Sequence, residues 1–322
     1  MNILITGGAG FIGKNLAIDL IKRGHSVSIL DNFSKTGKSN FYNFLQKEKC
    51  YFDHFTKIWF EDIIENNIDS FWFCVLKNID VVFHLAASTS VSESWNNPEK
   101  FEKNNVLGTI RILEQARKNG VKKVVFISSG AVYGKPPEDF SGWKETDELK
   151  PISPYGITKK TGEDYCLAYQ PLGIDCIIAR LSNVYGPEQL YSKGYTSVIP
   201  SFINACFEEK NPIIHGDGQQ RRDFVFVKDV TYALISLVEK GAFGTFNIGN
   251  ENSLSINKVL EIIQKYTSYR IKLPNVEKSR KGDVALNYLK IDKLKSIIGA
   301  FPKYSLEEGL DCTFKRYEGK IK

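Results

Sequence analysis

The stretch TGGAGFIG at residues 6–13 constrains this chain more than any other part of it. An apolar run, NILIT at 2–6, enters it, and FIGKNLAIDLIKR at 11–23 leaves it with Ile12, Leu16, Leu20 and Ile21 at helical spacing. Gly24 stops that helix, and HSVSILD at 25–31 reads as a second strand. Strand, tight glycine turn, helix and strand make a right-handed β-α-β unit, the seed of a parallel sheet. Gly7, Gly10 and Gly13, spaced by three, allow a tight turn whose backbone can approach a pyrophosphate on the helix N-terminus. Asp31, closing the second strand, can accept hydrogen bonds from an adenosine ribose and would repel a 2′-phosphate. That favours NAD over NADP, although Lys35 and Lys38 follow closely and soften the preference.

The same rhythm continues. VVFHLAA at 81–87 and KVVFISS at 123–129 read as buried parallel strands, and apolar positions 106, 107, 110, 112 and 113 place a helix over 101–119 between them. The aromatic-rich stretch 40–76 reads as helix, strand, helix. The alternation predicts an α/β fold, a Rossmann-like doubly wound parallel sheet with helices on both faces. After residue 180 it loosens. Proline, glycine and charge dominate 185–223, FVFVKDV and a helix near 228–239 follow, and GTFNIGN at 244–250 reads as one more strand. Residues 255–322 read as a helix, a basic loop and two short amphipathic helices. The expected division is a cofactor-binding domain, 1–180 plus about 223–250, and a smaller discontinuous substrate lobe, 181–222 and 251–322, with a shared cleft.

Bulk properties narrow the class. The 322 residues are 42% hydrophobic and 25% charged, with a formal net charge of +6. Basic residues are interspersed with acidic ones, which argues against a nucleic-acid-binding face and suits a small anionic substrate. No run approaches the ~20 apolar residues of a membrane span, and the first residues lack the basic and apolar regions of a secretory leader. Six cysteines without a CxxC pair, and no histidine at metal spacing, point to a reduced cytoplasmic enzyme with no structural metal.

Three constellations carry chemistry. In SPYGITKK, Tyr155 and Lys159 stand four apart, on one face of a helix whose first turn suits Pro154. A phenol is a poor base at neutral pH, and a neighbouring ammonium favours its phenolate. Ser128 and Ser129 in FISSGAVYG end a parallel strand, where open α/β sheets bind ligands, and a hydroxyl there can meet a substrate oxygen. A serine at a strand end also serves as a local backbone cap. Arg222 in GDGQQRRDFVFVKD and Arg280 in SRKGD offer bidentate donors for phosphate.

Taken in order, TGGAGFIG, LDN, FEDI, FHLAA, NNVLGT, FISSGAVYG, SPYGITK, RLSNVYGP, RRDFVFVKD and RKGD resemble the extended short-chain dehydrogenase/reductase family. Within it the chain is similar to the NAD-dependent nucleotide-sugar epimerases and dehydratases, such as the 4-epimerases of UDP-glucose and UDP-N-acetylglucosamine. The likeness runs from residue 2 to about 315. It implies that Gly7, Gly10, Phe11, Ile12 and Gly13 line the pyrophosphate, and that Asp31 and Asn32 hold the adenosine ribose. Asp62 and Ile63 fall on the adenine side, Leu85, Ala86 and Ala87 beside the ribose and nicotinamide, and Asn105 on a bracing position. Ser129, Tyr155 and Lys159 fall on the catalytic positions, with Tyr155 and Lys159 also touching NAD. Asn183, Val198, Arg222, Arg280, Asp283 and Asn287 fall on the substrate side.

The chemistry so implied is epimerisation of a nucleotide-diphosphate sugar at C4 through a transient 4-keto sugar. The family's 4,6-dehydratases carry an Asp-Glu pair where this chain has Gly130 and Ala131, so water elimination is disfavoured. A 4-keto-sugar reductase spending NAD(P)H would use the same three residues and stays open. Four residues past Asp283 the epimerases carry a residue whose size controls access for the C2 substituent. Asn287 stands there, and an N-acetylated sugar is the expectation. The resemblance also implies a homodimer through the helices carrying 101–119 and 155–169.

Overall fold

The computed structural model describes residues 1–50, 54–189, 197–267, 274–278 and 282–318. Arg280 lies outside the described residues.

The chain opens with β1 (Asn2–Thr6), α1 (Phe11–Lys22), β2 (Ser26–Leu30), α2 (Lys38–Lys47), β3 (Lys57–Trp59), α3 (Asp69–Leu76) and β4 (Val81–His84). Two short helices, α4 (Val91–Asn96) and α5 (Pro98–Phe101), lead through a π-helical stretch, Glu102–Leu107, into α6 (Gly108–Lys118). Then come β5 (Lys123–Ser129), α7 (Pro154–Tyr169) and β6 (Asp175–Leu181). The continuous helix expected over 101–119 is therefore interrupted. Its first half is wound with i→i+5 bonds, a local widening that spacing of apolar residues does not reveal.

Farther on lie β7 (Asn183–Tyr185), α8 (Val198–Phe207), β8 (Ile213–His215), β9 (Arg221–Phe226), α9 (Val227–Glu239) and β10 (Gly244–Ile248). The chain ends with β11 (Ser253–Ser255), α10 (Ile256–Gln264), β12 (Asn275–Glu277), β13 (Leu286–Asn287), α11 (Asp292–Ile298) and α12 (Leu306–Glu318). Helix α8 went unread in the sequence because Pro200, in its first turn, breaks the apolar run VIPSFINACF.

Strands pair in the order β3-β2-β1-β4-β5-β6-β10 into a seven-stranded sheet, every pair parallel. Side chains alternate across it as the two-residue period requires. Ile3, Ile5, Val125 and Ile127 face a core shared with α1 and α9, while Leu4, Val82, Val124 and Phe126 face one shared with α3, α6 and α7. Strand order reverses between β1 and β4, and that switch point is where such sheets open a crevice at their carboxyl ends.

A second body of structure surrounds β9, which pairs with β11, β13 and β7. Its core gathers α8, α10 and α12 around Phe202, Ile203, Val259, Leu310 and Phe314. The chain crosses back to the large sheet after Phe226, since β9 belongs to the small sheet while β10 edges the large one. Among the described residues, no helix is long and apolar enough to cross a membrane.

His84 sits at the centre of the sheet, fully enclosed. Its Nδ1 is 2.7 Å from Thr6 Oγ1 and its Nε2 3.2 Å from Thr109 Oγ1. Burial, followed by the charge of Lys159, lowers its pKa from 6.5 to about 3. Below pH 6.5 the unfolded chain binds a proton that the folded chain refuses, so this group withdraws stability as pH falls toward 3. The loss amounts to about 1.4 kcal/mol per pH unit. His84→Gln should flatten the acid side of the unfolding free energy, measured by urea titration from pH 7 to 4. A slope equal to that of the wild type would contradict this account.

Candidate active site

The glycine turn is built for close approach. Gly7 has φ of 70°, and a Cβ there would stand 2.6 Å from the amide nitrogen of Ala86. The turn is thus wedged against the segment leaving β4, and only glycine fits. Gly13, in the first turn of α1, would likewise drive a Cβ into the Gly7 carbonyl oxygen. Gly10 caps α1 in an extended conformation with no side-chain cap. Its own N–H donates to Gly7 O at 3.0 Å, and the first amides of α1 lack helical acceptors. A bare helix N-terminus that admits a ligand this closely fits a pyrophosphate.

At the end of β2, Asp31 Oδ2 accepts from Ala9 N at 3.0 Å and Oδ1 from Phe33 N at 2.6 Å. Burial raises its pKa, and those two backbone bonds work against the rise. Asn32 Nδ2 donates to Asp62 Oδ2 at 2.6 Å, and Asp62 Oδ1 accepts from Ile64 N at 2.7 Å. The acidic and amide groups expected around an adenosine are therefore gathered at one place, with Ile63 buried beneath. Of the two nearby lysines, Lys38 places its Nζ 4.4 Å over the Phe60 ring. Leu85, Ala86 and Ala87, all half-buried, follow β4, and Leu85 N bonds Thr6 O at 3.0 Å. The residues present fit a dinucleotide.

Helix α7 starts at Ser153, whose Oγ accepts from Gly156 N at 3.1 Å, with Pro154 at its first position. It presses against β5 and the turn after it. A Cβ on Gly156 would come within 2.6 Å of Ala131 O, and one on Gly162 within 2.5 Å of Phe126 Cζ. Tyr155 is buried, its ring edge-on to Phe101. One turn on, Lys159 donates to Ile127 O at 2.8 Å and lies 5.1 Å over the Phe126 ring. Burial lowers its pKa to about 8, and the neighbouring Cys166 and Glu163 work against that fall. The amine therefore remains chiefly an ammonium at neutral pH. Asn105, in the π-helical stretch, takes Ser88 N at 2.8 Å and gives to Ser88 O and Thr158 Oγ1 at 3.0 Å each. It thereby ties the segment after β4 to the helix of Tyr155.

The two serines have separate employment. Ser128 Oγ points inward and donates to Glu163. Ser129, half-buried at the strand end, accepts Ala131 N at 3.2 Å as a local cap and keeps its hydroxyl proton to donate elsewhere. Beyond it, a Cβ built on Gly130 would rest in ordinary contact, 3.4 Å from Leu289 and 3.8 Å from Asn287 Nδ2. Position 130 thus has room for a Cβ.

On the opposite wall, Arg222 of β9 is paired with Asp283, and Gly282 beside it abuts Trp95 and Ser153. Asn183 opens β7 with its side chain exposed, and Val198 packs on the core of the small sheet at the start of α8. Asn287 Oδ1 is buried without a hydrogen-bond partner among the described residues. Beneath this wall sits Asp223, which sequence reading passed over. It accepts from Asn250 N at 2.8 Å and Leu289 N at 3.3 Å, and burial pushes its pKa up to about 7. Glu163, Arg180 and Tyr133 were also missed. The available signal was Glu163 at eight residues past Tyr155, two turns along one helical face.

The Ser129 hydroxyl thus ends β5, and the helix carrying Tyr155 and Lys159 one turn apart packs against that strand, with Lys159 bonded to Ile127 O. Such a set can move a proton from an alcohol as its carbon is oxidised. The sequence profile of the NAD dependent epimerase/dehydratase family matches residues 3–249. A protein of Methanocaldococcus jannaschii, provisionally named a UDP-glucose 4-epimerase, is 40% identical over 96% of this chain and 95% of its own. The UDP-N-acetyl-alpha-D-glucosaminuronate decarboxylase of Bacillus cytotoxicus is 36% identical over 97% of this chain and 96% of its own. Among solved structures, UDP-glucose 4-epimerase of Thermotoga maritima with UDP-glucose superposes with a TM-score of 0.90. It is 34% identical, with both chains covered completely. With the cradle, the strand-end hydroxyl and the Tyr-Lys helix in place, the chain belongs to the NAD-dependent epimerase/dehydratase family.

Proposed function

We propose that the protein is a nucleotide-sugar 4-epimerase that inverts C4 of a UDP-hexose through a 4-keto sugar. What supports the reading is Ser129 at the end of β5, Tyr155 and Lys159 on the helix seated against that strand, and no acid or base side chain at Gly130 or Ala131. NAD supplies the reversible hydride acceptor. Tyr155 takes the proton of the sugar O4 as its phenolate. Lys159, an ammonium held by Ile127 O, stabilises that phenolate electrostatically. Ser129 Oγ donates to O4 and holds it as the carbonyl forms and disappears. Arg222, relieved of Asp283, holds the diphosphate, so the keto sugar can turn while its nucleotide stays anchored. Re-protonation of O4 by Tyr155 completes the inversion.

The absence of proton-transfer groups at 130 and 131 favours this outcome over loss of water. The likeness to the UDP-glucose 4-epimerase of Thermotoga maritima supports uridine diphosphate as the nucleotide. A reductase would draw on the same three residues but would consume one NAD(P)H per turnover. Tyr155→Phe tests the assignment of the base. Turnover should fall by roughly a thousandfold, while NAD retained through purification and the unfolding midpoint stay as in wild type. Activity within tenfold of wild type would remove Tyr155 from the role.

Substrate choice at C2 rests on Asn287. Its unpartnered Oδ1 and its place beside Gly130 suit an amide-bearing substituent. Asn287→Tyr should abolish turnover of UDP-N-acetylhexosamine and spare UDP-hexose, measured by chromatographic separation of the epimers. Equal effects on both sugars would refute the assignment.

A further inference from the structure

Behind the proposed reacting groups lies a buried polar chain that the proton transfer does not itself use. Tyr155, Lys159 and Glu163 follow one another at four-residue steps along one face of α7. Glu163, 2% exposed, accepts from Arg180 Nε at 3.0 and 3.1 Å and from Nη2 at 2.7 Å, and also accepts the hydroxyl of Ser128. Arg180 Nη1 goes on to Tyr133 Oη at 2.9 Å and Glu145 O at 3.2 Å, and Tyr133 Oη donates to Asn247 Oδ1 at 2.7 Å. One carboxylate thus joins α7, β5 and β6 at the level of the strand ends. A buried ion pair of this kind adds little net stability over apolar residues of equal volume. What it does fix is geometry, because both partners are directional and one is bidentate.

We propose that Glu163 is a positioning residue for the proton transfer. It holds Ser128, and through it the orientation of Ser129, against the helix of Tyr155 and Lys159, and it keeps an anion on the Lys159 side of that helix. The proposal rests on the reading of Ser129, Tyr155 and Lys159 given above. Successive strand residues point to opposite faces, so Ser128 gripped by Glu163 sets which way Ser129 presents its hydroxyl. Around Lys159 the charged and titratable groups are Tyr155, Glu163 and Cys166 on its own helix and His84 on β4. From β5 it meets only the Ile127 carbonyl and the Phe126 ring. Next to Cys166 stands the Cys176 thiol of β6. His84 stays neutral, and burial holds the Cys166 thiol protonated. Glu163, ion-paired with Arg180, is the carboxyl among these groups, and it supports the ammonium against burial.

The test compares wild type with Glu163→Gln and with the double variant Glu163→Leu/Arg180→Met, in which an apolar pair of similar volume preserves the fold. Both should lose roughly tenfold or more in kcat with KM within about twofold. The alkaline limb of kcat should move to lower pH, since Lys159 loses its anion. A purely structural part would lower the unfolding midpoint and leave the limb in place. Unchanged kcat and limb in either folded variant overturns the proposal. Should wild type convert no UDP-hexose, the parent reading fails, and Glu163 is then judged without substrate. The readout is tyrosinate absorbance near 295 nm, taken as the difference between proteins with Tyr155 and with Tyr155→Phe. A shift of that titration to higher pH in Glu163→Gln supports the positioning role, and an unmoved titration overturns it.

Discussion

Everything at the site depends on how closely α7 lies on β5. Two glycines on that helix, Gly156 and Gly162, allow contact distances at which a Cβ would overlap Ala131 O and the Phe126 ring. Without that approach Lys159 could not reach the Ile127 carbonyl, and Glu163 could not grip Ser128. The sheet brings a strand end to the crevice, but the seating of the helix decides which side chains share it. Its cost is the burial of a lysine, which lowers the pKa of the amine to about 8 and still leaves it charged at neutral pH.

Absence also shapes the chemistry. A Cβ on Gly130 would rest in ordinary van der Waals contact, so the backbone does not require glycine there. In the proposed reaction a carboxyl at 130 or 131 would offer protons for elimination. With small inert residues in both places, the keto sugar of the proposed reaction would have hydrogen return as its main exit. In that proposed reaction the unpartnered Asn287 oxygen would be a contact for the sugar's substituents.

Much of this was legible in the sequence because it is local. A glycine turn between strand and helix, an acid closing the next strand, and a Tyr-Lys pair one helical turn apart declare themselves within a few residues of each other. What stayed hidden depends on distance along the chain or on winding. Glu163 finds Ser128 and Arg180 35 and 17 residues away, and Asp223 finds Leu289 66 residues on. No periodicity encodes such meetings. The π-helical turn that delivers Asn105 to Ser88 and Thr158 lengthens the α-helical hydrogen-bond step by one residue, below what apolar spacing resolves. Helix α8 was lost to a proline that, at a first turn, is compatible with helix.

The central claim is that hydrogen leaves C4 and comes back to C4 within one site. The direct measurement uses UDP-glucose deuterated at C4, incubated with the purified protein and no added NAD(H), with both epimers analysed by mass spectrometry and NMR. The account predicts that UDP-galactose forms with deuterium retained at C4, and that both epimers keep the mass of the starting sugar. Deuterium lost from C4, conversion only when NAD(P)H is supplied and consumed, or a product lighter by water or carbon dioxide would contradict it.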